Sequence, residues 1–268
     1  MTWGSFSTTH LITLALAVLI NILIYLILRK KSRSMQIVSL FAISLIGIAF
    51  LVSNIIVNQS DWFKYLPLSF WALNTVLLPF AIITRGKRIC NLLLIWSTSS
   101  MIALVFNSSM SNVNIFTGEF IIYFVMHMFG AGIPILLFEL GLVKRDTKTI
   151  KSTLIATLGA YTIVHLVNLA INSANGWSVN QGVNYMNTLA PNSSLLYFFY
   201  AFIPSAYWYM ILSLPLLLVY LVYWYLPEIL DQRRQGKPLK EKLNDIDAYY
   251  DEYEEEYIDE IIDEKYDW

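Results

Sequence analysis

The chain has 268 residues and a net charge of −1, with 57% hydrophobic and 14% charged residues. A soluble domain is about a quarter charged, so this balance excludes an ordinary soluble enzyme and points to a membrane protein. The small net charge hides an asymmetry: residues 245–268 carry 12 acids and one base, Lys265, while the remainder is basic.

A membrane-spanning helix needs about 20 mostly apolar residues. Seven segments qualify in chain order: 10–28, 36–57, 66–83, 88–106, 116–142, 152–172 and 196–226. The first has no basic stretch before it, so it reads as a retained helix and not as a cleaved signal. Basic residues follow alternate segments: Arg29 to Arg33 after the first, Arg85 to Arg88 after the third, Lys144 to Lys151 after the fifth, and Arg233 to Lys242 after the last. The other loops hold only Lys64. Cytoplasmic loops retain Lys and Arg, so the expected fold is an all-α, seven-helix bundle with its N-terminus outside and its C-terminus in the cytoplasm. This is a multi-pass protein of the cell membrane, and the Ile-, Asn- and Lys-rich usage suggests a bacterial plasma membrane. The expected division is a transmembrane domain over 1–230 and a cytoplasmic linker with an acidic tail over 231–268.

Prolines mark three segments. Pro67 and Pro79 lie in the short third, Pro134 in the fifth, and Pro204 and Pro215 in the seventh. Each removes a backbone donor that a neighbour must replace. The longest outer loop, 173–195, is rich in Asn, Ser and Gly, with Trp177 and Tyr185 suited to the membrane interface. The stretch from Asn172 to Met186 is expected to be an ordered lid. The tail reads either as solvated chain or as an arm for a basic cytoplasmic partner, because Ile246, Tyr250, Tyr253, Tyr257 and Ile261 recur at helical spacing among its acids. Cys90, the single cysteine, excludes an intrachain disulfide.

Polar groups in a bilayer usually face a cavity or a partner. Glu119, Tyr123 and His127 fall on one face of the fifth segment, and Tyr161, His165, Asn168 and Asn172 on one face of the sixth. Ser69 and Asn74 belong to the third. Together with Asn184 and Tyr185 of the lid, these residues are candidates to line one pocket opening toward the outer leaflet. The alternative is that they join helices, as polar side chains in membranes commonly do. The run Ser97-Thr98-Ser99-Ser100 reads as a close-packing surface. No metal set, cofactor motif or nucleic-acid motif is present.

Several of these motifs occur together in a known family. Thr9-His10-Leu11, Leu66-Pro67-Leu68, Pro79-Phe80, His127, Asn172, Gly182-Val183-Asn184-Tyr185-Met186 and Pro204-Ser205-Ala206-Tyr207 resemble, in order and spacing, the YwaF-like bacterial integral membrane proteins and the related eukaryotic transmembrane protein 164. The resemblance spans roughly 8–226 and leaves the tail uncovered. It implies a lipid acyltransferase in which a Cys of the third helix acts with a His. Where that family reads Leu-Pro-Leu-His-Leu-Cys, this chain reads Leu66-Pro67-Leu68-Ser69-Phe70-Trp71. An indole is no nucleophile. Two readings follow: a non-enzymatic or divergent lipid-binding member, with the tail recruiting a partner, or a lipid acyltransferase or hydrolase using Ser69 with His127 as base. A small-molecule transporter is a third, although the segments show no inverted repeat.

Overall fold

The computed structural model describes residues 2–4, 6–57, 59–106, 112–179 and 181–234. The expected tail arm, 245–268, lies outside the described residues. Among the described residues eight helices follow in order: α1 (Thr8–Leu28), α2 (Arg33–Val57), α3 (Phe70–Thr84), α4 (Lys87–Phe106), α5 (Gly118–Glu139), α6 (Thr149–Asn175), α7 (Ser194–Phe202) and α8 (Ser213–Arg234). Short 3-10 turns cover Gln59–Tyr65, Tyr185–Asn187 and Trp208–Leu212. Among the described residues there is no strand, only an isolated bridge between Thr2 and Asn114.

The protein is all-helical, and among the described residues six helical stretches are long and apolar enough to cross a membrane: α1, α2, α4, α5, α6 and Trp208–Asp231. The third expected segment is a shorter apolar helix of 15 residues. The seventh differs from the expected single helix over 196–226. It breaks between Phe202 and Trp208, because Pro204 cannot donate to the preceding turn and Tyr207 adopts a left-handed φ of 68°. Two compact units divide the chain, residues 1–218 and 219–268. The described part of the second is helical, with Tyr220 and Trp224 stacked at 6.5 Å.

Within the first unit α5 is the central helix and packs against α1, α2, α3 and α4. Its Gly130, Ala131 and Gly132 are buried. A Cβ at Gly132 would stand 1.7 Å from Asn21 Oδ1 of α1, so only glycine allows that approach. Pro134 lacks the N–H that would bond the Gly130 carbonyl four residues earlier. Asn74 of α3 supplies the replacement, its Nδ2 donating to that carbonyl at 2.8 Å.

The chain before α1 is also packed inside. Trp3 is completely buried, and its backbone exchanges hydrogen bonds with Asn112 and Val113. Its ring lies 4.3 Å from His10 and 4.9 Å from Phe120. His10 accepts the Phe6 N–H at Nδ1 and donates from Nε2 to the Leu104 carbonyl at 2.8 Å. This ties the start of α1 to the end of α4.

Candidate functional site

The fifth helix contributes Tyr123 and His127, one turn apart on a single face. Their rings meet at 4.2 Å, and the Tyr123 hydroxyl donates to the Ala103 carbonyl at 2.6 Å. His127 is buried, with Nδ1 2.8 Å from the Tyr123 carbonyl. A carbonyl only accepts, so Nδ1 carries the proton and Nε2 carries the lone pair. That nitrogen makes no hydrogen bond among the described residues. Trp71 of α3 lies against the imidazole, with centroids 4.8 Å apart and planes tilted by 39°.

Ser69 precedes α3 as its N-cap, half-buried, and its hydroxyl caps nothing. It makes no hydrogen bond to His127 among the described residues. Asn74 lies one turn beyond Trp71, completely buried and committed to Gly130. Glu119 is exposed in the first turn of α5.

The sixth helix builds a second arrangement. Gly176 ends α6 in a left-handed turn, φ 64°, and the Trp177 N–H returns to the Asn172 carbonyl at 2.9 Å. The chain then comes back along the helix. Asn172 holds Val183 by both backbone groups: Nδ2 donates to the carbonyl at 2.9 Å and Oδ1 accepts the N–H at 2.8 Å. Asn168 holds Tyr185 in the same way, at 2.9 and 3.0 Å. The registers match because four helical residues rise about 6 Å and two extended residues span about 6.6 Å. Gly182 is required here, since a Cβ would meet Asn172 Oδ1 at 2.1 Å.

Beyond the clamp the loop folds on itself. Met186 and Asn187 both take left-handed conformations, φ 53° and 55°, which cost energy in non-glycine residues. Asn184 braces them by donating to the Ala190 carbonyl at 2.8 Å and accepting the Leu189 N–H at 2.9 Å. Thr188, also buried, joins Asn168 Nδ2 at 2.9 Å and His165 Nδ1 at 3.0 Å. The broken seventh segment seals this arrangement. The Tyr207 N–H donates to the Thr188 carbonyl at 2.6 Å, the Tyr161 hydroxyl donates to the Tyr207 carbonyl at 3.1 Å, and Tyr209 bonds the Asn187 carbonyl. Burial pushes the Tyr185 hydroxyl up to about 12, and that oxygen has no hydrogen-bond partner.

The candidate residues thus occupy two neighbourhoods. Tyr123 and Trp71 both meet His127, and Asn74 bonds Gly130 one turn beyond; Tyr161, His165, Asn168, Asn172, Asn184 and Tyr185 hold the lid. The start of α3 links them. Leu66, Leu68 and Phe70 pack into the cluster of Tyr161, Val164, Val183, Tyr185 and Met186, while the next residue, Trp71, turns to His127. Sequence reasoning missed Thr188 and Trp3, and gave Tyr207 only as part of a matching motif, with no part in the site. Thr188 acts through its hydroxyl and its carbonyl, and Tyr207 through its N–H and its carbonyl, in loops whose approach no periodicity encodes. A tryptophan ahead of the first apolar run was the only trace of Trp3.

No curated protein matches the chain, and no solved structure does. The TMEM164 family matches residues 5–225. That range takes in His10, the Trp71–His127 contact, the asparagine clamp and the broken seventh segment, and begins after Trp3. The chain belongs to the TMEM164 family of membrane proteins.

Proposed function

We propose that this protein is a divergent, non-enzymatic family member that binds a lipid or similar amphiphile at the outer leaflet of a bacterial plasma membrane. The observation that carries this reading is the Trp71–His127 contact. Position 71 is where the resemblance expects a cysteine beside the histidine. An indole cannot attack an acyl carbon, and here it covers the imidazole that would deprotonate a thiol. A hydrophobic ring in place of a reactive group suits holding an acyl chain.

The test uses purified full-length protein. Phospholipid is expected to co-purify and be identified by mass spectrometry, with no acyl transfer to a lysophospholipid acceptor. The double variant Ser69→His/Trp71→Cys restores the His and the Cys of the family's motif and should gain transfer activity. Acyl transfer by the unaltered chain would refute the non-enzymatic reading.

A second reading makes Ser69 a nucleophile with His127 as base. It is favoured by the uncommitted Ser69 hydroxyl and by the lone pair that the Tyr123 carbonyl leaves on Nε2. It requires the two groups to reach about 3 Å when ligand binds. A fluorophosphonate probe separates the readings: labelling abolished by Ser69→Ala supports the hydrolase, and no labelling removes it.

The topology that accompanies the proposal places the N-terminus and the lid outside and the tail in the cytoplasm, from the partition of Lys and Arg. The tail's acids suit a basic protein partner. With Cys90 replaced, a cysteine at position 178 should react with an impermeant thiol reagent in intact cells and one in the tail should not. The opposite pattern would invert the topology. Removing residues 245–268 should leave insertion intact and abolish partner pull-down; unchanged pull-down would sink the recruitment role.

A further inference from the structure

Four hydroxyl residues follow one another in α4, and three of them bond within their own helix. Ser97 donates to the Leu94 carbonyl, Thr98 to Ile95 and Ser99 to Trp96. Ser100 does otherwise. It is completely buried, and its Oγ has no hydrogen-bond partner. It faces α5 at Gly130, where a Cβ would stand 2.9 Å from that oxygen.

The same glycine meets Asn74 from α3. Asn74 Nδ2 donates to the Gly130 carbonyl at 2.8 Å, the carbonyl that Pro134 leaves unbonded. This bond fixes the amide, because turning it over would set Oδ1 against a carbonyl oxygen. Asn74 Oδ1 is therefore an acceptor, in a residue with no exposed surface, and it too has no partner. One hydroxyl and one amide oxygen thus stand unpaired beside Gly130 at the junction of three helices. Unpaired polar groups in an apolar interior are costly, and native proteins seldom leave them. Gly130 also lines a separate small cavity on the α2 side, with Ser44, Gly47, Thr75 and Met126, to which Asn74 and Ser100 do not contribute.

We infer that this junction of α3, α4 and α5 is a binding site for one buried water molecule, which donates to Asn74 Oδ1 and accepts from the Ser100 hydroxyl. Buried waters occupy polar sites of this kind and repair such groups. A hard cation fits poorly, since it takes about six oxygen ligands and no carboxylate is near. Asn74 and Gly130 lie three residues beyond Trp71 and His127, so the water extends a polar environment one helical turn past that contact. Glycine at 130 and proline at 134 have a joint purpose in this arrangement: one admits Ser100, and the other frees the carbonyl that orients Asn74.

The full chain in lipid nanodiscs provides the test. A high-resolution density map should show a peak within about 3 Å of both oxygens. Ser100→Ala should lower Tm by about 3 °C. In an Asn74→Leu background, where the water has lost its acceptor, the same change should leave Tm unaltered or raise it. Ser100→Ala that is neutral or stabilising in the native background overturns the inference, because the hydroxyl is then unpaired or turned onto its own helix. Featureless density, or a peak with six short oxygen contacts, overturns it as well. Should Asn74→Leu fail to fold, the density and the sign of the Ser100→Ala shift decide alone.

Discussion

Helices α5 and α6 have 22 and 27 residues, and both are apolar enough to cross a membrane, yet they are used in opposite ways. Of the apolar window of α5, 72% is buried in the protein; for α6 the share is 17%. On α5 the interior position is secured by shape: Gly130 and Gly132 admit side chains of neighbouring helices to distances no Cβ would permit. On α6 the few buried residues include Thr149, Thr153, Tyr161, Asn168 and Asn172, and its two asparagines hold a loop by its backbone. Lipid tails are as apolar as leucine, so burial of apolar surface does little to choose between arrangements in a membrane. Close approach chooses at α5, and directed hydrogen bonds choose at α6.

The comparison is tested most severely at its two glycines. Gly182→Val drives a side chain into Asn172 and removes both bonds to Val183. The expected loss is about 3 kcal/mol, read as a lowered Tm and as faster amide exchange over 183–190. Gly132→Ala also creates a clash on paper, but Asn21 is half-buried and bonds mainly within its own helix, to the Ala17 carbonyl at 2.9 Å. Its amide can swing aside, so about 1 kcal/mol is expected. A larger loss at Gly132 than at Gly182 would show that Asn21 cannot swing aside and that close approach at α5 outweighs the clamp at α6.

The asparagines form a graded series. Asn168→Ala deletes three bonds to buried partners and should cost about 2–4 kcal/mol. Asn184→Ala deletes two and should cost about 1–2 kcal/mol. Asn192, exposed beyond the lid, should change stability by less than about 0.5 kcal/mol on truncation. Limited proteolysis of 181–190 measures the order directly, and equal effects at all three would dissolve the clamp as an explanation.

The smallest effect is expected at Tyr185. Its folded-state value lies near 12, above the ordinary value near 10, so the unfolded chain releases this proton first as pH rises. The lid should therefore be unaffected below about pH 10 and lose stability between about pH 10 and 12. Tyr185→Phe should remove that component of the pH dependence while leaving neutral-pH stability almost unchanged, because the hydroxyl has no partner to lose. A marked fall in Tm at pH 7 would show that the hydroxyl is bonded after all.

Much of the candidate site was legible as residue type and face. The i, i+4 spacing of Tyr123 and His127 placed them together, and the stripe of Tyr161, His165, Asn168 and Asn172 is one continuous side of α6. What these faces meet was not legible. Asn168 and Asn172 bond backbone atoms of Val183 and Tyr185, and backbone atoms carry no sequence signal. Trp71 shows the same limit in another form: its identity could be read against the family's motif, but its packing on His127 depends on how α3 lies against α5.

The sequence by itself determined that the chain is helical and membrane-embedded, because long apolar runs in lipid must satisfy their backbone internally. It also marked where helices would be interrupted, since proline lacks a donor wherever it stands. The tertiary structure alone decided how each interruption was resolved. At Pro134 the helix continues because Asn74 replaces the missing bond. At Pro204 it breaks, and the freed segment is tied to Thr188, Tyr161 and Asn187. The same local chemistry thus has two outcomes: at Pro134 a side chain of a neighbouring helix bonds the freed carbonyl and the helix continues, and at Pro204 the chain leaves the helix and bonds the lid.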